Sequence, residues 1–369
     1  MRFALFWLSL LMTLAGCEQP PPNAPSLRVT ELLGGVGAEG FARATTPRPF
    51  QFPADHGPHR RFRNEWWYLT GHLHSGDGRA FGFQVTLFRV ALRPEPLPSP
   101  SAWRSNQIWM AHAALSDLSR GTHQAYERFS REALGLAGSS TAPLQLWVDD
   151  WRLQRDSRTG SWQLRFPTPG FTLSLTLDPD SPIVAQGDNG LSRKSDAPGN
   201  ASYYYSIPRL TAAGRLRMGG ADVRVEGSAW LDREWSSSAL DAQQSGWDWF
   251  SLQLIDGRNL MYYRLRRSDG RPDPHSAGSL SDRSGLLRRL GPDQVTLTPL
   301  AWWEVDERRY PVQWRLELPG EAHPWRVRAL MDDQEMRLSV RYWEGAVEVV
   351  DEHDGTLLGK GYLEMTGYD

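Results

Sequence analysis

Between Asn64 and His74 the chain reads NEWWYLTGHLH, and its side chains alternate instead of recurring every three or four residues. Glu65, Trp67, Leu69, Gly71 and Leu73 fall on one face of an extended strand, and Trp66, Tyr68, Thr70, His72 and His74 on the other. One strand therefore carries two aromatic faces, which a sheet with a single buried side would not need. SGDGR (75–79) reads as a turn, and AFGFQVTLFRVAL then alternates again with Phe81, Phe83, Val85 and Leu87 on one side, which predicts a hairpin. The design returns about half a chain later as WDWFSLQL, the turn Asp256-Gly257-Arg258, and NLMYYRLRR. An acid, an aromatic pair, a strand and a DGR turn repeated at that distance predict a duplicated β unit.

Helical periodicity is scarce, and further alternating stretches follow at intervals that suit barrels or sandwiches. Closing an antiparallel sheet removes its edges, so two closed or nearly closed barrels are expected. The segment 178–202, rich in Gly, Pro, Asp and Ser, predicts a boundary between an N-terminal unit (46–195) and a C-terminal unit (196–369). The proline run near 93–100 and the stretch 268–285 read as loops, the second of them mobile. The 17 tryptophans, 34 glycines and 26 prolines fit a turn-rich β protein with large aromatic surfaces to bury or to offer to a ligand.

The beginning carries an address. One positive charge, an apolar run from Phe3 to Leu14 and then Leu14-Ala15-Gly16-Cys17 predict a signal peptide over 1–16, too short for a membrane span. Leu-Ala-Gly-Cys resembles the lipobox of bacterial lipoproteins, and Cys17 is the only cysteine, so lipidation at Cys17 and an extended tether over 17–45 are expected. That anchor predicts a periplasm-facing protein held on a membrane of the cell envelope. Glu18, which is not the aspartate associated with inner-membrane retention, tilts the expectation to the outer membrane. A formal net charge of −2 with interspersed signs argues against a nucleic-acid partner.

Longer motifs bear on family. FPADHGPHRRFRNEWWYLTGHL (52–73), MAHAALSD (110–117), SYYYSIPRL (202–210), GSAWLDREWSS (227–237), GWDWFSLQLIDGRNLMYYRLR (246–266) and GKGYLEMTGYD (359–369) resemble the AttH-like family of secreted lipocalin-like proteins, the group that includes carotenoid 1,2-hydratase (hydroxyneurosporene synthase). The resemblance implies an all-β fold of two lipocalin-like, calycin-type antiparallel barrels packed together. For function it implies three alternatives: a cofactor-free hydratase or isomerase, a non-enzymatic carrier or accessory of an ABC-type export system, and, by label alone, a secreted hydrolase. Adding water across an isolated double bond needs a protonated acid in aromatic, low-dielectric surroundings and ring faces to hold the cation.

Asp232, two residues beyond Trp230 on the same strand face, is the candidate acid, and the resemblance places it where hydratase relatives hold theirs. The resemblance also sets Tyr203, Tyr205 and Trp230 at positions where those relatives have a histidine, a tryptophan and a tyrosine. Together with Trp247 and Trp249 these residues are the expected wall for a hydrophobic, lipid or isoprenoid-like ligand. A structural reading competes, because Asp232 lies on a mostly polar face and could pair with Arg233 or another arginine. For Glu65 and Asp248 the structural reading leads: a carboxylate meeting arginine while tryptophans fill the core. His72 and His74 share a face but lack a third ligand at a recognisable spacing, so no metal is expected. His112 reads as a hydrogen-bonded barrel residue. No cofactor-binding glycine loop and no Gly-x-Ser-x-Gly elbow occurs.

Overall fold

The structure is a computed structural model describing residues 37–368 apart from 97, 99 and 239. The expected signal peptide, Cys17 and most of the tether lie outside the described residues. The chain is almost entirely β. One sheet of 13 strands curls into a nearly closed barrel, and a second of 10 strands forms a half-barrel packed against it.

Alternation fixes what each face meets. In Asn64–Ser75 the odd residues Trp67, Leu69 and Leu73 enter the first barrel's core beside Phe81, Phe83, Val85 and Leu87 of Ala80–Ala91. In Gln244–Leu254 the even residues Phe250, Leu252 and Leu254 do the same for the second core. The two hairpins thus share a frame in which Glu65 and Asp248 point inward, and both DGR turns carry glycine at positive φ, Gly78 at 84° and Gly257 at 93°. Both acids meet arginines of neighbouring strands. Glu65 binds Arg89, its cross-strand neighbour, and Arg233, and receives the His59 backbone N–H at 2.9 Å. Asp248 binds Arg264 at 2.8 Å and Arg266 at 2.5 Å, with the Tyr368 hydroxyl donating at 2.8 Å.

The first sheet does not end where composition breaks. Ala201–Met218 and Ala221–Ser236 pair with each other, and Ala221–Ser236 closes against Asn64–Ser75 with Asp232 opposite Tyr68. Sheet membership changes only after Ser236, so the expected boundary at 195/196 falls inside the first sheet. The Gly- and Pro-rich segment holds two short strands, Val184–Ala185 and Leu191–Arg193, laid on Ala201–Met218. Part of the expected loop 268–285 is also strand: Ala277–Asp282 pairs with Asn259–Arg267 and with Gly285–Leu290. The half-barrel's edge strands are protected in other ways: Gly285–Leu290 carries exposed Arg288 and Arg289, and Thr296–Val305 carries Pro299 at a register shift.

The outward faces of the two sheets meet each other. Contact is closest where side chains are small: a Cβ on Gly82 would come within 2.6 Å of the Tyr362 hydroxyl and 2.8 Å of the Ala346 Cβ. His72 Nε2 donates to the Gly361 carbonyl at 2.8 Å, and Gln253 reaches the Ala229 carbonyl at 2.9 Å. Towards the other end the same strands carry Trp66, Tyr68, Trp247 and Trp249, and there the sheets part around a cavity.

Candidate functional site

The cavity, about 140 Å³, is walled by both sheets. On the first sheet successive strands contribute Met110, Phe88, Trp66, Glu234 and Tyr204 as one cross-strand row, and His112, Tyr68 and Asp232 stand in the next. On the second sheet Glu364, Trp249 and Tyr263 form one row, Trp247 stands opposite Leu265 beside it, and Tyr342 and Thr366 also line the cavity. Leu240 and Val340 complete the apolar surface.

Asp232 lies in this wall, 3% exposed, and is held by three donors. Ser206 Oγ donates to Oδ1 at 2.5 Å, Trp230 Nε1 donates to the same oxygen at 2.6 Å, and the Tyr204 hydroxyl donates to Oδ2. Tyr204 in turn accepts Trp249 Nε1 at 3.1 Å. Burial pushes the Asp232 carboxyl up to about 7; its three donors pull the other way without prevailing, and the charge of Glu234 adds to the rise. Asp232 makes no ion pair with Arg233, whose guanidinium turns into the first barrel over Trp67 at 3.7 Å.

A second carboxyl shares this character. Glu364 accepts Trp247 Nε1 at 2.6 Å, and burial, reinforced by Asp232 and Glu234, raises it to about 7. Glu344, opposite Glu364 in the ladder, binds the Tyr68 hydroxyl and is raised well above the carboxylate range by burial and by Glu364. Among the described residues one permanent cation lines the cavity. Lys194 pairs with Glu234 at 3.2 Å and lies 4.1 Å from the Tyr263 ring centre; burial opposes its charge, yet Glu234 and Tyr263 keep it above the usual range. Three acids line the cavity beside one lysine, Asp232 and Glu234 buried and Glu364 half-buried, and their crowding favours protonation of part of the set.

The sequence candidates divide. Asp232, Trp247 and Trp249 line the cavity, and Trp230 stands behind Asp232 with its ring edge-on to Trp249 at 6.4 Å. Tyr203 and Tyr205 do not belong to it. Both face the first barrel's core, where Tyr203 donates to the Thr46 carbonyl at 2.9 Å and Tyr205 meets His56 Nδ1 at 2.6 Å. The residue between them, Tyr204, is the one that faces Asp232, because the ladder sets Tyr204 opposite Glu234 and Ser206 opposite Asp232. Glu364, Glu344 and Lys194 were not marked by sequence spacing. His74 is exposed beside Glu226 at 3.2 Å, and His72 is spent on its carbonyl, so the pair does not act jointly.

A model of the AttH-like family matches residues 43–368. The chain belongs to the AttH-like family. Its fold is that of a crystal structure from Nitrosomonas europaea described as AttH, 39% identical, over 89% of this chain and 100% of that one, with a TM-score of 0.80. Kievitone hydratase from Nectria haematococca superposes with a TM-score of 0.66 at 15% identity, over 89% of this chain and 97% of its own. CghA does so with a TM-score of 0.54 at 14% identity, over 90% and 97%. At such identities these two share the fold with this AttH-like protein and nothing finer. No curated protein matches the chain.

Proposed function

We propose that this AttH-like protein binds a hydrophobic, isoprenoid-like molecule in the cavity between its barrels and adds water to, or shifts, a carbon–carbon double bond by acid catalysis at Asp232. The observation that carries the reading is the placement of a buried carboxyl, raised to about 7 by burial, inside a wall of indole and phenol rings. Asp232 supplies a proton to one alkene carbon, and the π pair forms the new C–H bond. The carbocation left on the other carbon faces the rings of Trp66, Trp247 and Trp249, whose π faces stabilise a desolvated cation by about 2 kcal/mol each at best. Water adds its oxygen to that carbon and returns one proton to the carboxylate, which restores the acid. For an isomerase the carbocation instead loses a neighbouring proton to Glu364 or Asp232.

Full-length protein incubated with bacterial membrane lipids and analysed by mass spectrometry is expected to yield a bound apolar molecule. Wild type should release a hydrated or isomerised product, while Asp232→Asn retains the molecule unchanged. Recovery of the same unaltered molecule from both proteins removes the catalytic part and leaves a carrier.

The envelope location is proposed on the same footing, from Leu14-Ala15-Gly16-Cys17. Cys17→Ser is expected to move the protein from the membrane to the soluble fraction on cell fractionation. Persistence of the variant in the membrane fraction would refute the lipid anchor.

A further inference from the structure

Opposite Asp232, the cavity has a second polar group that the acid chemistry does not use. His112 is 1% exposed, lines the cavity, and bridges to the second sheet through Nδ1, which lies 2.8 Å from the Tyr342 hydroxyl. Its Nε2 is buried without a partner among the described residues. A buried, unpaired ring nitrogen is costly in an apolar wall, on the order of 1–3 kcal/mol, unless something else in the cavity satisfies it. Burial holds the imidazole neutral, its conjugate acid down to about 3. A phenol is the stronger donor and a neutral imidazole nitrogen the stronger acceptor, so the hydroxyl proton of Tyr342 is assigned to the bond with Nδ1, and Nε2 carries the ring hydrogen.

The ladders give the separation. Thr86 stands opposite His112, Tyr68 opposite Thr86, and Asp232 opposite Tyr68, so His112 and Asp232 occupy one row three strand steps apart. Steps of ~4.8 Å make that roughly 14 Å. Phe88, Trp66 and Trp247 line the wall around this span, and apart from the two indole N–H groups, of which that of Trp247 is given to Glu364, they offer apolar surface.

We propose that His112 Nε2 donates a hydrogen bond to a neutral oxygen, a carbonyl or hydroxyl, at the far end of an elongated apolar ligand whose reactive end lies at Asp232. The inference rests on the proposed ligand-binding function and narrows its substrate class: an extended hydrocarbon body with an oxygen function remote from the double bond. Neither a pure hydrocarbon nor a short compact molecule satisfies both ends. Tyr342 acts as the positioning residue that fixes the tautomer.

The test compares three probes of equal length, dodecane, dodecanol and the dodecanediol with a hydroxyl at each end, by quenching of the cavity tryptophans in the full-length protein. Wild type is expected to bind the diol more tightly than dodecane, and His112→Phe to lose about tenfold of that preference, ~1.4 kcal/mol, with dodecane affinity unchanged. Tyr342→Phe, which keeps the imidazole but frees its tautomer, should lose part of the preference. A merely structural tie between the sheets would lower affinity for all three probes alike, and an unchanged ratio in His112→Phe overturns the inference while the ligand-binding reading stands. Should His112→Phe not fold, Tyr342→Phe decides by the same ratio. Failure of every probe to bind the wild type overturns both readings.

Discussion

Replacing Glu65 by glutamine is expected to lower the unfolding free energy by about 3–5 kcal/mol, measured as a shift of the urea midpoint at constant m. Glu65, Arg89 and Arg233 all have fully buried side chains. Burial works against the carboxylate, yet the two guanidinium charges outweigh it and hold Glu65 well below the usual range. Glutamine keeps the shape but removes the charge, and two arginines are then left in the barrel core without an anion. Arg89 would keep only Gln107 and the Phe62 and His59 carbonyls, and Arg233 only neutral acceptors such as the Gly57 carbonyl. Asp248→Asn, at the equivalent place in the second hairpin, should cost less, about 1.5–3 kcal/mol. Its partners Arg264 and Arg266 are 15% and 11% exposed and can recover some hydration. Equal losses at the two sites would contradict this account, because the difference comes from burial alone.

That contrast also shows where sequence was sufficient. Alternation around Glu65 and Asp248 already separates an inward acid from an outward aromatic, and a buried acid in a strand of tryptophans has few stable arrangements other than pairing with arginine. The cavity acids were harder to read. Glu344 in YWEGAVEVV and Glu364 in YLEMTG sit on faces that a lone barrel would present to water, so their polarity looks like ordinary solvation. Only the packing of one barrel's outer face on the other buries them, and that contact leaves no periodic mark. Tyr204 was hidden for a different reason. In a run of three tyrosines the alternation assigns two to one side and one to the other, but composition cannot say which side is the core. The choice is made by register, which sets Ser206 against Asp232, and register depends on the partner strand. A break rich in glycine and proline likewise marks a loop and says nothing about which sheet the next strand joins, so 178–202 stands within the first sheet.

Asp232→Asn is expected to lower kcat/KM by about 10²–10⁴ while the ligand's dissociation constant changes little, the loss typical of a general acid. The pH profile gives the sharper measurement. A proton donor must be protonated, and with the Asp232 carboxyl raised to about 7 by burial, kcat/KM should be level below that pH and fall tenfold per unit above it. Glu364, raised to a similar range, is electrostatically coupled to Asp232, so the observed break belongs to the pair. Glu364→Gln should therefore move the break downward, because removing a neighbouring negative charge makes Asp232 easier to ionise. Stability has its own sign. The folded Asp232 binds its proton more tightly than an unfolded aspartate near 3.8, so its contribution is fully present below that value and is lost as pH rises through about 7. The buried neutral histidines His56, His72, His112 and His123 act oppositely below 6.5, which obscures the slope in the wild type alone. The difference between wild type and Asp232→Asn removes them: asparagine has no proton to lose, so the variant should gain stability relative to wild type between pH ~4 and ~7. A relative stability that is flat across this window would mean that Asp232 is ionised throughout, and a permanently ionised carboxylate could not be the proton source.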